Sequence, residues 1–193
     1  MSADPNARER ILDAAQALFF DRGYSAVRLR DVGEAVGMRH ASLYYHLPGG
    51  KEELFEEVMV RSFRRHRAGL EAAVAAAGPG LGARMRGVAH WLGSQPPLDL
   101  SRMARGDMPE IAPERAAYLM RLAFDSLREP IVAALAEAYA AGELALDDLD
   151  FGAMALVTLV QGAHAIPDAY RTEPRERTAE RLAEMMLDGW RPR

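Results

Sequence analysis

Apolar residues return every three or four positions along most of this chain, and no stretch alternates as a half-buried strand would. Residues 7–22 carry Ile11, Ala14, Ala15, Leu18 and Phe19 on one face, which predicts a first helix, ended by Gly23 and Tyr24. A second, short helix is predicted over residues 29–36, with Val32, Gly33 and Val36 on its buried side. Gly33 is small where a partner helix must come close, and Gly37 can take the left-handed conformation that stops a helix. Met38 and Leu43 turn a third helix, residues 40–47, onto the same core before Pro48, Gly49 and Gly50 break the chain. Lys51 opens a long fourth helix with acidic first turns and an arginine-rich middle, an order that in part suits the helix dipole. Its Leu54, Phe55, Val58 and Met59 suit an N-terminal core, and Phe63, Leu70 and Val74 suit a second one. This helix therefore belongs to both.

The pattern continues beyond Gly78, Pro79 and Gly80 with a fifth helix carrying Leu81, Met85, Val88, Ala89, Trp91 and Leu92. Residues 94–113 hold four prolines and read as irregular, with one short helix near residues 101–105. A seventh helix is predicted over residues 114–141, where Pro130 interrupts the apolar pattern and should kink or split it. Asp147, Asp148 and Asp150 lie in the next connection and suit capping of an eighth helix, residues 150–165; a ninth covers residues 175–190. The expected class is all-α. An N-terminal three-helix domain with a helix-turn-helix, residues 1–50, precedes a larger helical domain, residues 51–193.

Two helices joined by about three residues with a glycine form a helix-turn-helix. On the second of them the core does not use Arg39, His40, Ser42, Tyr44, Tyr45 or His46. These are donors and flat rings, the groups that reach phosphates and base edges. Recognition helices meet the major groove with their N-terminal residues, where Arg39, His40 and Ser42 stand, and Arg39 has the fork to pair with guanine. Arg28 and Arg30 are candidate clamps on the DNA backbone. The formal charge of −4 argues against such a partner until its distribution is seen: residues 1–51 carry seven Arg/Lys against six Asp/Glu, and the rest carries seventeen against twenty-two. The positive patch is mild, so two copies would have to present it together. Lys51 is the only lysine.

The same stretch resembles the N-terminal domain of TetR-type transcriptional repressors. The likeness rests on Ile11, Ala14, Ala15, Leu18 and Phe19, on Gly23-Tyr24, Asp31-Val32, Ala35 and Gly37-Met38, on Leu43-Tyr44-Tyr45-His46-Leu47, and on Lys51-Glu52-Glu53-Leu54-Phe55. Arg28 and Arg39 stand where that family usually has a capping Ser or Thr, and Leu47 where it has Phe. The resemblance implies phosphate contacts from Tyr44, Tyr45 and His46, with one tyrosine against a thymine methyl. It also implies a phosphate for Lys51 beside the backbone N–H groups that open the fourth helix. It further implies a homodimer on a palindromic double-stranded operator and a small, often hydrophobic effector in the C-terminal domain. Effector binding would tilt the fourth helix, change the separation of the recognition helices and lower operator affinity.

The remaining residues can be sorted against those expectations. Phe151, Ala155, Leu159 and Gly162 on the eighth helix, and Leu182, Met185, Met186 and Trp190 on the ninth, form stripes suited to a four-helix dimer bundle or to an intrachain core. Phe63, His66, Met85, Trp91, Met103, Tyr118, Met120, Phe124, Gln161 and His164 suit either an adaptable apolar cavity or plain core. No metal site is expected, since His66, His90 and His164 are far apart and share no ligand-like spacing with a carboxylate. No cofactor is implied, and no phosphate-binding glycine loop, nucleophile motif or paired histidine–carboxylate arrangement suggests an enzyme. The chain has no cysteine, hence no disulfide framework or thiolate chemistry. No apolar leader is visible and no window approaches the ~18–20 apolar residues of a membrane span, which predicts a cytoplasmic protein. The competing reading is a helical protein-interaction module that no longer binds DNA.

Overall fold

The structure is a computed structural model that describes residues 6–38 and 40–190. Among the described residues every regular element is helical. The order is α1 (Ala7–Arg22), α2 (Leu29–Val36), α3 (His40–His46), α4 (Gly50–Ala76), α5 (Leu81–Ser94), α6 (Leu100–Arg102), α7 (Pro113–Ala140), α8 (Leu149–Ala165) and α9 (Arg175–Asp188). After α6 the chain widens into a π turn, Met103–Asp107, and tightens into a 3-10 turn, Met108–Glu110. The proline-rich stretch thus holds more helical structure than its composition suggests. α7 runs through Pro130 without being split.

The chain packs as two units, one of residues up to Phe63 with Leu100–Ala123, the other of Arg64–Asp99 with the residues from Phe124 onward. The first unit is built on Ile11, Phe19, Val32, Leu43, Leu47, Leu54 and Phe55, all fully buried. Each such side chain contributes about 1.5–3 kcal/mol by leaving water. Phe19 and Phe55 meet edge to face at 5.1 Å, and Tyr24 meets Phe55 at 4.9 Å. Between α2 and α3 the turn forms as the pattern predicts. Gly37 sits at φ 70°, ψ 28°, and its N–H bonds back to the α2 carbonyls. A side chain at Gly33 would stand 3.3 Å from the Met38 carbonyl and 3.5 Å from Leu43, so it would push the turn out by a few tenths of an ångström.

In the second unit α5 packs against α8 and α9, and α8 against α9. Met85, Val88, Leu127, Ile131, Leu156, Val157, Val160 and Ala183 form its buried core. Asp148 caps α8, accepting the Phe151 N–H at 2.9 Å, one of the roles expected of that acidic run. No described helix is long and apolar enough to cross a membrane.

Candidate nucleic-acid interface

The interface is built outward from the turn that carries it. Arg28 precedes α2 in an extended conformation (φ −112°, ψ 152°) and has no hydroxyl to cap the helix. The cap comes from the other side: the Asp31 carboxylate accepts the Arg28 N–H at 2.8 Å. That bond holds the Asp31 carboxyl below the usual carboxylate range, with the nearby Arg30 guanidinium helping and burial opposing. Arg28 and Arg30 stay exposed, and Arg30 Nε lies 3.6 Å from Asp31.

On α3 the side chains divide cleanly. Leu43 and Leu47 are buried, so the leucine where the related pattern has phenylalanine still fills its place. Ser42, Tyr44 and Tyr45 face outward, the two tyrosines 45% and 79% exposed. His46 is half-buried, with its ring edge-on to Tyr45 at 5.4 Å. Its carbonyl, at the end of α3, accepts Arg8 Nη1 at 2.8 Å. Arg39 and the side chain of His40 lie outside the described residues.

Lys51, in the first turn of α4, is half-buried. Its Nζ rests 3.9 Å from the centre of the Tyr24 ring, a cation–π contact. Burial pulls the lysine below its ordinary pKa, and Glu110 pulls back. Burial, and then Glu52, push the Tyr24 phenol up. Helix, turn, outward rings and ammonium are thus all present in one small unit.

Residues 11–58 match the sequence family described as bacterial regulatory proteins, tetR family, and residues 80–189 match the C-terminal domain of AefR-like transcriptional repressors. The chain belongs to the tetR family of bacterial regulatory proteins. The regulator LmrA of Bacillus subtilis is 44% identical over 54 residues, 28% of this chain and 29% of that protein. The repressor KstR2 of Mycolicibacterium smegmatis is 36% identical over 58 residues, 30% of this chain and 28% of that protein. These matches span under a third of the curated relatives' length. The crystal structure of the TetR-family regulator PfmR from Thermus thermophilus superposes with a TM-score of 0.72 at 25% identity, covering 93% of this chain and 97% of that one.

In this TetR-family chain the effector candidates divide between the units. Phe63 and Met103 are buried in the first, where Tyr118 is exposed. In the second, buried His66 stacks on Trp91 at 6.0 Å, and Met85 is fully buried. The Trp91 indole lies flat on Gly69, and its buried Nε1 finds no acceptor among the described residues. Gln161 Nε2 donates to the Leu98 carbonyl at 2.8 Å and His164 Nε2 to the Leu92 carbonyl at 3.0 Å, while Phe124 is exposed. Burial lowers the His164 pKa from its ordinary 6.5. A cleft of about 560 Å³ in the same unit is bordered by Arg67, Val74, Pro79, Arg84, Glu129 and Pro130, none of them among those candidates.

The dimer candidates of this TetR-family chain lie on the outside of its second unit. Phe151 and Met185 are 68% and 71% exposed; Leu159 and Gly162 are exposed too. Ala155, Leu182, Met186 and Trp190 are half-buried.

Several side chains that hold the interface together were missing from the sequence reading. Arg8 reaches both Glu57 on α4 and the end of α3. Arg10 Nη2 donates to the Val36 carbonyl at 2.9 Å, satisfying the end of α2. Arg61 joins α4 to Asp13, Glu9 and Gln16 at 2.6, 3.1 and 3.2 Å. Asp107 accepts the Tyr24 N–H at 2.8 Å. Surface arginines give no sequence signal that separates such anchors from solvated charge.

Proposed function

We propose that this TetR-family regulator binds a palindromic double-stranded operator as a homodimer, represses transcription from it, and is released by a small, hydrophobic effector held in its C-terminal domain. Residues 1–50 act as the reader, and residues 51–193 hold the effector and the partner subunit. The observation that carries the reading is the outward face of α3. A helix anchored by Leu43 and Leu47 turns Ser42, Tyr44 and Tyr45 to solvent. Two large rings with hydroxyls, held at the surface beside a glycine turn, can reach the phosphates and base edges of a DNA groove. Arg28, Arg30, Arg39, His40, His46 and Lys51 add the donors.

Dimerisation through α8 and α9 is supported by the apolar side chains that a single chain leaves exposed there. A two-fold pair places two readers at a fixed half-site spacing. For the effector, His66 and Trp91 are the candidates stacked on one another, with Met85 and the others recruited as the domain opens. Effector binding shifts α4, to which both units contribute residues, and lowers operator affinity by favouring a poorly spaced pair of readers.

A salt titration of duplex binding tests this. Each phosphate neutralised adds about −0.9 to the slope of log affinity against log salt. A dimer using Lys51 and the arginines should give a steep slope; a flat one rejects the reading.

A further inference from the structure

Asp107 is a carboxylate only 4% exposed, at the end of the π turn, and its Oδ1 accepts a backbone N–H 83 residues earlier in the chain. Burying a carboxylate is costly unless hydrogen bonds compensate, so its placement against Tyr24 has to be explained. Its Oδ1 takes the Tyr24 N–H and lies 3.3 Å from where a side chain at Gly23 would begin, so the turn after α1 closes directly over it. The Tyr24 ring in turn carries the Lys51 ammonium. Around the same spot the Ala112 N–H donates to Glu52 at 3.0 Å, and Arg115 pairs with Glu56 at 2.7 Å and Glu52 at 3.5 Å. Residues 107–115 therefore hold the backbone of Tyr24, whose ring lies beneath Lys51, and the carboxylate of Glu52, the next residue along α4.

We propose that Asp107 is a positioning residue for DNA binding: by fixing the backbone of Tyr24 it fixes the ring on which Lys51 rests, and so sets where that ammonium meets a phosphate. This rests on the operator reading above. The π turn is what aims the carboxylate at Tyr24; such turns recur where a helix must re-aim a side chain for function. Asp107 touches no DNA itself and acts through Tyr24.

The chain's single lysine makes the test direct, because Lys51 supplies the only lysine Hε signals. Protons held over an aromatic face are shifted upfield, and that shift reports the Lys51–Tyr24 contact. Asp107→Ala, Lys51→Ala and the double variant are compared by duplex affinity at several salt concentrations and by the Hε shift. Asp107→Ala should lose the upfield shift, weaken binding roughly three- to tenfold and lower the salt slope by about one, as Lys51→Ala does. The double variant should bind no more weakly than Lys51→Ala alone, since both remove the same contact. Asp107→Asn, which keeps an acceptor oxygen, should recover most of the loss. Additive losses, an unchanged slope or an unmoved Hε signal in Asp107→Ala overturn the proposal. Where Asp107→Ala fails to fold, Tyr24→Leu removes the ring and leaves the backbone bond; additivity with Lys51→Ala overturns the proposal there too. A wild-type chain without salt-dependent duplex binding sinks the operator reading and this proposal with it, whereas normal wild-type binding with additive variants sinks this proposal alone.

Discussion

At the start of α2 an arginine stands where a hydroxyl would ordinarily cap the helix, and the Asp31 carboxylate satisfies that arginine's own N–H. Because its folded pKa is depressed, Asp31 adds stability that is present above the ordinary carboxylate value and is lost as pH falls through the folded one. His164 works over a milder range. Burial disfavours its protonation, so the unfolded chain takes up the proton first, and stability falls as pH drops below 6.5 toward the folded value. The melting temperature of wild type should therefore decline between pH 7.5 and 5.5 more than that of His164→Gln, and parallel melting series would check it. The expected DNA contacts separate by kind. Arg39→Ala should relax base preference at one operator position by about 1–3 kcal/mol, while Lys51→Ala weakens all duplexes alike. Binding measured on operator and scrambled duplexes distinguishes the two.

Among the elements, the turn between α2 and α3 depends on Gly37 for its backbone alone. Nothing lies within 4 Å of where a side chain would start, so Gly37→Ala isolates the strain of a positive φ. It should cost about 1–2 kcal/mol, read as a lowered midpoint in chemical unfolding. This turn, α1 to α4 and the buried faces of Leu43 and Leu47 were legible in the sequence, because period and glycine placement answer to local sterics. The π turn at Met103–Asp107 was not, because its apolar residues fit no single helical period. Nor was the bond from Asp107 to Tyr24, which depends on how distant segments meet. Arg8, Arg10 and Arg61 look like solvated charge in one dimension, and only the fold shows which carbonyls and carboxylates lie within their reach. Pro130 was expected to kink or split α7; it does not split it, and sits buried within one helix.

For the whole molecule the exposed apolar face of α8 and α9 makes the sharpest prediction. A charge placed there should cost the assembly and not the fold: Phe151→Glu combined with Met185→Glu should sediment as a monomer and keep its helical content. Its duplex affinity should fall well beyond tenfold, because half of a two-site contact is lost. A variant that remains dimeric would mean that another face pairs the subunits.

The interleaving of the two units has a practical result for anyone building hybrids. A regulator assembled by joining this reader to a foreign sensor at residue 60 would leave Tyr24, Glu52 and Glu56 without the segment that braces them. Leu100–Ala123 lies beyond that junction in the chain yet packs in one unit with the residues up to Phe63. Transplants should therefore carry it along as part of the reader, and swaps that respect only the order of the chain should bind DNA poorly even when both halves fold.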